Sequence, residues 1–134
     1  MNAVFVDTSF YIAFANPKDR WNSSAVEIGT RWWDVMFTTE HVVLELGNHF
    51  SGPAFRQTFM RMATMIQEDN VTRVVPATSG LFQTGMKLFG NRPDKGWSLT
   101  DCISFAVMES QGITEALTCD RHFEQAGFRM LLSP

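Results

Sequence analysis

The sequence predicts an α/β domain, a three-layer sandwich in which a central, mostly parallel sheet of four to five strands is covered by helices on both faces. Short apolar segments alternate with longer segments of helical periodicity along the chain. The first strand candidate, "AVFV", is apolar throughout, as expected of a strand that is buried on both faces. Such alternation is typical of parallel strands joined by helical crossovers. The length of 134 residues predicts one domain over 1–134.

The elements follow in order along this alternation. Strands are predicted at 3–6, 35–39, 71–75, 114–120 and 128–132. Helices are predicted from residue 9 onward, at 22–33, at 40–50 and 53–69 as a helical hairpin, at 79–89 and at 98–111. Thr38 or Thr39 can cap the third of these helices, Pro53 suits a helix start, and Gly112 suits a helix end.

Composition excludes several classes of protein. A hydrophobic fraction of 45% with 19% charged residues is too apolar for intrinsic disorder. The net charge of −3 provides no general basic field, so any contact with nucleic acid must come from a local patch. The chain has no leader-like start, no apolar run of about 20 residues and no metal-type spacing of Cys102 and Cys119. We therefore expect a protein of the reducing cytoplasm with no membrane partner, although a single disulfide bridge stays open.

Four carboxylates are candidates for a joint site. Asp7 and Asp120 each follow a buried strand, at the sheet edge where ligands of α/β proteins bind. Asp101 lies in the first turn of the helix at 98–111, and Glu45 interrupts the apolar "VVLEL". Each acid also has a structural alternative. Asp7 and Asp120 would cap helices, Asp101 would form a capping box with Ser98, and Glu45 would lie on a solvated face.

Convergence of the four acids would require a cation between them, because their mutual repulsion in a partly dry cleft is unfavourable. Oxygen-only ligands favour Mg²⁺ or Mn²⁺. Such an ion orients a phosphodiester, lowers the pKa of the attacking water and stabilises charge on the leaving oxygen. A zinc site of His41, Glu45 and His49 is the weaker alternative, because eight residues span about 12 Å of helix. All three histidines, including His122, are predicted to be surface or outer groups.

Hydroxyl groups beside the acids are candidates for support. Thr8 and Ser98, with Thr100, could hold water or phosphate oxygens, whereas Ser9 is predicted to be a cap or turn residue. For RNA contact, "NRPDKGW" offers Arg92 and Lys95, and Arg121 follows the last acid. The aromatic Trp97 of the same loop could stack on a base, but core packing is favoured.

The order of these motifs resembles a PIN domain over nearly the whole chain. The resemblance is carried by strand-Asp7-Thr8-Ser9, then "TTEHVVLEL", "WSLTDCISFAVMESQGI" and "ALTCDRHFEQAGF". Within that superfamily the length is similar to the toxins of VapBC-type toxin–antitoxin pairs.

The resemblance implies a Mg²⁺- or Mn²⁺-dependent ribonuclease that cuts single-stranded or structured RNA such as tRNA. It also implies a homodimer and a small antitoxin partner. By this resemblance Asp7, Glu45, Asp101 and Asp120 form the acidic quartet, and Glu124 stays open as a further acid. Two alternatives remain: a PIN-fold module that binds RNA or protein without cutting, and a small-molecule phosphatase with Asp7 as nucleophile. The phosphatase is disfavoured because "DTS" lacks a second acid two residues on.

Overall fold

The computed structural model describes residues 1–134 as five strands and seven helices. The strands are β1 (Ala3–Val6), β2 (Val35–Thr39), β3 (Thr72–Val75), β4 (Glu115–Leu117) and β5 (Arg129–Met130). The helices are α1 (Thr8–Ala15), α2 (Asn22–Gly29), α3 (Glu40–His49), α4 (Arg56–Glu68), α5 (Ser79–Asn91), α6 (Leu99–Gln111) and α7 (His122–Gln125).

The five strands form one parallel sheet in the order β3-β2-β1-β4-β5. The central strand is β1, in which Phe5 lies opposite Phe37 of β2 and Ala116 of β4. The carboxyl ends of β1, β2 and β4 therefore meet at one edge of the sheet. This confirms the predicted α/β class, and the sheet is parallel throughout.

Two apolar cores, one on each face of the sheet, give the three layers. Side chains alternate along β1, because Phe5 joins one core while Val4 and Val6 join the other. The first core also contains residues of α3, α6 and α7, among them Val42, Cys102, Phe105, Met108 and Phe123. The second contains residues of α1 and α2, among them Phe10, Ala13, Ala25 and Ile28. Both faces of the sheet are thus covered, as predicted.

Several local signals are confirmed. The Thr39 hydroxyl accepts a hydrogen bond from the Val42 N–H at 3.0 Å, so Thr39 is the cap of α3. Gly112 ends α6 with a φ of 66°, in the left-handed region that glycine adopts without strain. Trp97 is buried, and its ring packs edge-on against Phe105 with centroids 5.2 Å apart. Packing in the core is therefore the correct interpretation of Trp97.

Some predicted boundaries are wrong. The second helix ends at Gly29 rather than near Trp33, because Trp33 leaves the helix to bury its ring and donates from Nε1 to the Ile28 carbonyl. Helix α4 begins at Arg56, since Pro53 belongs to a turn closed by the Phe55 N–H on the Gly52 carbonyl. Strands β4 and β5 are shorter than predicted, and the short helix α7 between them was not predicted.

Cys102 and Cys119 are both free thiols, so the bridge that the sequence left open does not form. All of the helices fall short of the length and apolar character that crossing a membrane would require.

Candidate active site

Asp7 lies at the carboxyl end of β1 and is 5% exposed. Its backbone N–H donates to the Leu117 carbonyl at 3.1 Å, which joins the ends of β1 and β4. The carboxylate makes no capping hydrogen bond to α1. Its Oδ2 accepts instead from the hydroxyls of Ser9 at 2.8 Å and Thr118 at 2.9 Å. The capping alternative is therefore wrong for Asp7.

The charge of Asp7 is poorly compensated. Burial raises the pKa of Asp7 to about 6, the hydroxyls of Ser9 and Thr118 lower it, and the negative charge of nearby Asp101 raises it again. No lysine or arginine pairs with Asp7. Asp7 is therefore hydrogen-bonded by two neutral hydroxyl groups, and a bound cation would be needed to neutralise its charge.

Ser9 and Thr118 orient Asp7, and neither role was predicted. The Ser9 hydroxyl accepts from the Cys119 N–H at 2.9 Å while it donates to Asp7, so Ser9 is not the cap or turn residue that we expected. Thr118 is fully buried, and its hydroxyl accepts from the Asp120 N–H at 3.0 Å. The sequence signal for Thr118 was a hydroxyl residue directly after the apolar end of β4, two positions before Asp120.

Asp101 occupies the first turn of α6 and is 7% exposed. A capping box is present: the Ser98 hydroxyl accepts from the Asp101 N–H at 3.0 Å, and Asp101 Oδ2 accepts from the Ser98 N–H at 3.1 Å. Burial raises the pKa of Asp101, hydrogen bonds from Ser98 and His122 oppose this, and the charge of Asp120 adds to it. The capping interpretation is thus correct, and the same carboxylate also faces the other acids.

Asp120 and His122 complete a compact group with Asp101. Asp120 Oδ1 accepts from the His122 N–H at 2.9 Å, which also satisfies the start of α7. The His122 ring nitrogen Nδ1 lies 3.0 Å from Asp101 Oδ2 and 3.3 Å from Asp120 Oδ1. One ligand atom from each of the three residues lies within 4.8 Å of the others, as a metal site requires. We expected His122 to be a surface or outer group; the available signal was its position two residues after Asp120.

Glu45 is half-buried on α3, and α3 packs against α6. No hydrogen bond or ion pair joins its side chain to the three clustered residues. The alternative zinc trio of His41, Glu45 and His49 forms no ligand cluster. Glu124 is exposed and pairs with Arg121 at 3.1 Å, and it does not belong to the cluster of Asp101, Asp120 and His122.

The three predicted RNA-contacting cations differ in their surroundings. Arg92 makes two 3.0 Å contacts with Asp94, and its guanidinium carbon lies 5.0 Å from the Trp97 ring centroid. Arg121 is paired with Glu124, whereas Lys95 has no ion pair. Because Trp97 is buried, it is not available to stack on a base.

The family model described as "PIN domain" matches residues 4–129. The chain belongs to the PIN-domain family. It is 30% identical over 125 residues to the 23S rRNA-specific endonuclease VapC20 of Mycobacterium tuberculosis. The aligned region covers 93% of this chain and 95% of that protein.

Several solved structures have the same fold as this chain. The crystal structure of VapC20 from Mycobacterium tuberculosis, described as a sarcin–ricin loop cleaving toxin, superimposes with a TM-score of 0.85 and covers 93% of this chain and 95% of that one. FitAcB from Neisseria gonorrhoeae has a TM-score of 0.70 at 12% identity, and VapBC2 from Rickettsia felis, bound to a promoter DNA fragment, has 0.65 at 10%. Each of these two covers 96% of both chains.

PIN nucleases use a divalent metal ion, and the residues present in this chain fit one. Asp101 and Asp120 offer carboxylate oxygens, and their only ion-pair partner is His122. The Thr8 hydroxyl next to Asp7 is buried and has no hydrogen-bond partner. The site therefore combines excess negative charge with oxygen donors, which is what a hard divalent cation binds.

Proposed function

We propose that this protein is a divalent-metal-dependent endoribonuclease and that Asp7, Glu45, Asp101 and Asp120 form its acidic active site. The observation that carries the proposal is the meeting of Asp101, Asp120 and His122 within 4.8 Å at the carboxyl edge of a PIN sheet. The similarity of nearly the whole chain to an endonuclease supports it. A binding module without activity would gain nothing from carboxylates that repel one another.

The chain's own residues have distinct tasks in this proposal. Asp101 and Asp120 would hold the metal, Asp7 is oriented by Ser9 and Thr118, and Glu45 would join them from α3, which packs against α6. When bound, Mg²⁺ or Mn²⁺ polarises the phosphodiester and lowers the pKa of the attacking water.

Two hydroxyl residues support the acids. The Thr8 hydroxyl, which is buried and has no hydrogen-bond partner in the protein, supports the acids from beside Asp7 in this proposal. Ser98 keeps Asp101 oriented through the capping box.

The substrate that we propose is a structured RNA. The 23S rRNA named for the M. tuberculosis relative makes a ribosomal RNA loop the first candidate, and tRNA is the second. Contact with the RNA backbone falls to Arg92, Lys95 and Arg121, which lie on the two loops that flank the acids. Lys95, which has no ion pair, is the best placed of these to meet a phosphate.

The partners that we propose follow from exposed apolar side chains. Phe82, Met86 and Phe89 are exposed at helical spacing on α5, and Trp32 is 77% exposed. We propose that a second copy of the chain and a small antitoxin cover such surfaces in the cytoplasm. Light scattering on the purified chain, with a mass twice the 15.2 kDa of the monomer as the expected result, tests the homodimer.

Cleavage of defined RNAs tests the activity. Purified protein is incubated with a sarcin–ricin stem-loop, a tRNA pool and an unstructured RNA, in Mg²⁺, in Mn²⁺ and in EDTA. The wild type is compared with Asp101→Asn and with Glu109→Gln, which changes an exposed acid near the far end of the same helix.

We expect cutting that requires metal, that Glu109→Gln retains and that falls at least about 100-fold in Asp101→Asn, because the carboxylate would act in the transition state. No cutting of any RNA by metal-loaded, partner-free wild type would favour the binding module. Equal activity in Asp101→Asn would mean that the site is elsewhere or that a contaminating nuclease is present.

A further inference from the structure

The His122 ring lies beside the two clustered carboxylates and presents one nitrogen to both of them. Its Nδ1 lies 3.0 Å from Asp101 Oδ2 and 3.3 Å from Asp120 Oδ1. Adjacent ligands of an octahedral ion with bonds of about 2.1–2.2 Å are about 3.0–3.1 Å apart. The nitrogen is therefore spaced from both oxygens as a neighbouring ligand of the same ion would be.

The position of His122 is held by its surroundings. Its backbone N–H is bound to the Asp120 carboxylate, and α7 begins at His122 itself. The next residue, Phe123, is fully buried and packs against Phe105 with ring centroids 4.9 Å apart. These anchors fix the backbone of His122, whose side chain is 32% exposed and faces the acids.

We propose that His122 is a metal ligand through Nδ1, so that the site has mixed nitrogen and oxygen donors and prefers Mn²⁺ to Mg²⁺. This rests on the proposed metal-dependent function of the same site. An imidazole nitrogen suits transition-metal ions, whereas Mg²⁺ strongly prefers oxygen. The sequence had indicated an all-oxygen site, because His122 was placed outside it.

The competing role for His122 is to orient Asp101 through a hydrogen bond. The two roles use the same atom in opposite states, since a ligand presents the Nδ1 lone pair and a hydrogen-bond donor carries a proton there. Pulsed electron paramagnetic resonance on the bound Mn²⁺ distinguishes them, because only a directly coordinated nitrogen gives a strong hyperfine coupling.

The experiment uses the full chain, stripped of metal and loaded with Mn²⁺, at natural abundance and with ¹⁵N-labelled histidine. We expect a nitrogen coupling in the wild type that changes isotope pattern on labelling. His122→Asn, whose amide can still donate a hydrogen bond to Asp101, should abolish the coupling. It should also weaken Mn²⁺ binding roughly 10- to 100-fold and change Mg²⁺ binding much less. His49→Gln, outside the site, should keep the coupling.

The outcomes separate this inference from the proposed function. Wild type that binds Mn²⁺ through Asp101 without nitrogen coupling, or a coupling that persists in His122→Asn, overturns the ligand role and leaves the nuclease proposal standing. Wild type that binds neither ion overturns both. The labelled wild-type spectrum gives the answer even if His122→Asn is unstable, because His41 and His49 lie outside the cluster.

Discussion

Asp7 illustrates how a buried carboxylate at a proposed metal site can oppose folding. Its carboxylate is buried, and the hydroxyls of Ser9 and Thr118 only partly offset the burial that raises its pKa to about 6. A group whose pKa is higher in the folded than in the unfolded protein binds protons on folding, so stability decreases as pH rises between the two values. Without metal, the ionised Asp7 therefore destabilises the protein.

We predict that Asp7→Asn is more stable than the wild type in EDTA at pH 7.5. The pKa difference between 3.8 unfolded and about 6 folded corresponds to about 3 kcal/mol, and this sets the upper limit of the gain. The advantage should shrink as pH falls from about 6 to 4, because Asp7 becomes protonated in the folded wild type while it is still largely ionised in the unfolded chain. Urea unfolding of the two proteins across this range measures it, and equal stability at every pH would contradict the raised pKa.

The same residues show what a sequence can reveal about a site. Asp7, Asp101 and Asp120 were identifiable because each follows a strand or opens a helix, which are features of adjacent residues. Ser9 and Thr118 were not, because Thr118 reaches Asp7 across 111 positions, and the Cys119 N–H that fixes the Ser9 hydroxyl lies 110 positions from Ser9. His122 was predicted to be a surface or outer group, because the sequence does not show that its ring turns toward Asp101 and Asp120.

At the scale of elements, close approach of α5 and α6 positions the helix that carries Asp101. Gly85 of α5 lies against Ile103 of α6, and a Cβ on Gly85 would come within 2.4 Å of Ile103 Cγ1 and 3.4 Å of its Cα. Ile103 is itself buried and cannot move aside freely. Glycine is therefore required at this crossing for packing, not for its backbone conformation.

We predict that Gly85→Ala lowers the free energy of unfolding by about 1–3 kcal/mol, the usual cost of overpacking. Gly80→Ala and Gly90→Ala are matched controls in the same helix, because nothing lies within 4 Å of either added Cβ. They should be neutral or stabilising by up to about 1 kcal/mol through helix propensity. Chemical denaturation measures the free energy of unfolding of all three variants. If Gly85→Ala were stabilised like the two controls, helix propensity would outweigh the close contact between α5 and α6.

Element boundaries were predictable where a local signal marks them and not where packing decides. The cap at Thr39 and the turn at Gly112 were readable, since both are set by residues next to the helix end. The early end of α2 was not, because it follows from burial of the Trp33 ring. Helix α7, with only four residues, has too little periodicity to be seen in the sequence.

At the scale of the whole molecule, the strand order decides the site. Asp7 follows the central strand β1, whose two neighbours in the sheet, β2 and β4, lead to Glu45 on α3 and to Asp120. One parallel sheet thus brings distant parts of the chain to one edge, where burial and mutual repulsion raise the pKa values of Asp7 and Asp101. The fold tolerates this charge in the metal-free state because the rest of the molecule contributes two complete apolar cores.

A cation that binds only the folded protein should offset the destabilisation caused by the buried, mutually repelling carboxylates. We therefore predict that metal raises the melting temperature. At a free Mn²⁺ concentration 100 times the dissociation constant the stabilisation is about 2.7 kcal/mol. For a chain of this size that corresponds to roughly 10 °C. Thermal unfolding with and without Mn²⁺ measures the shift, which EDTA should reverse. Asp101→Asn should lose most of the shift and Glu109→Gln should keep it. An equal shift in the wild type, Asp101→Asn and Glu109→Gln would place the bound ion outside the acid cluster. The repulsion among the clustered carboxylates would then not be neutralised by that ion.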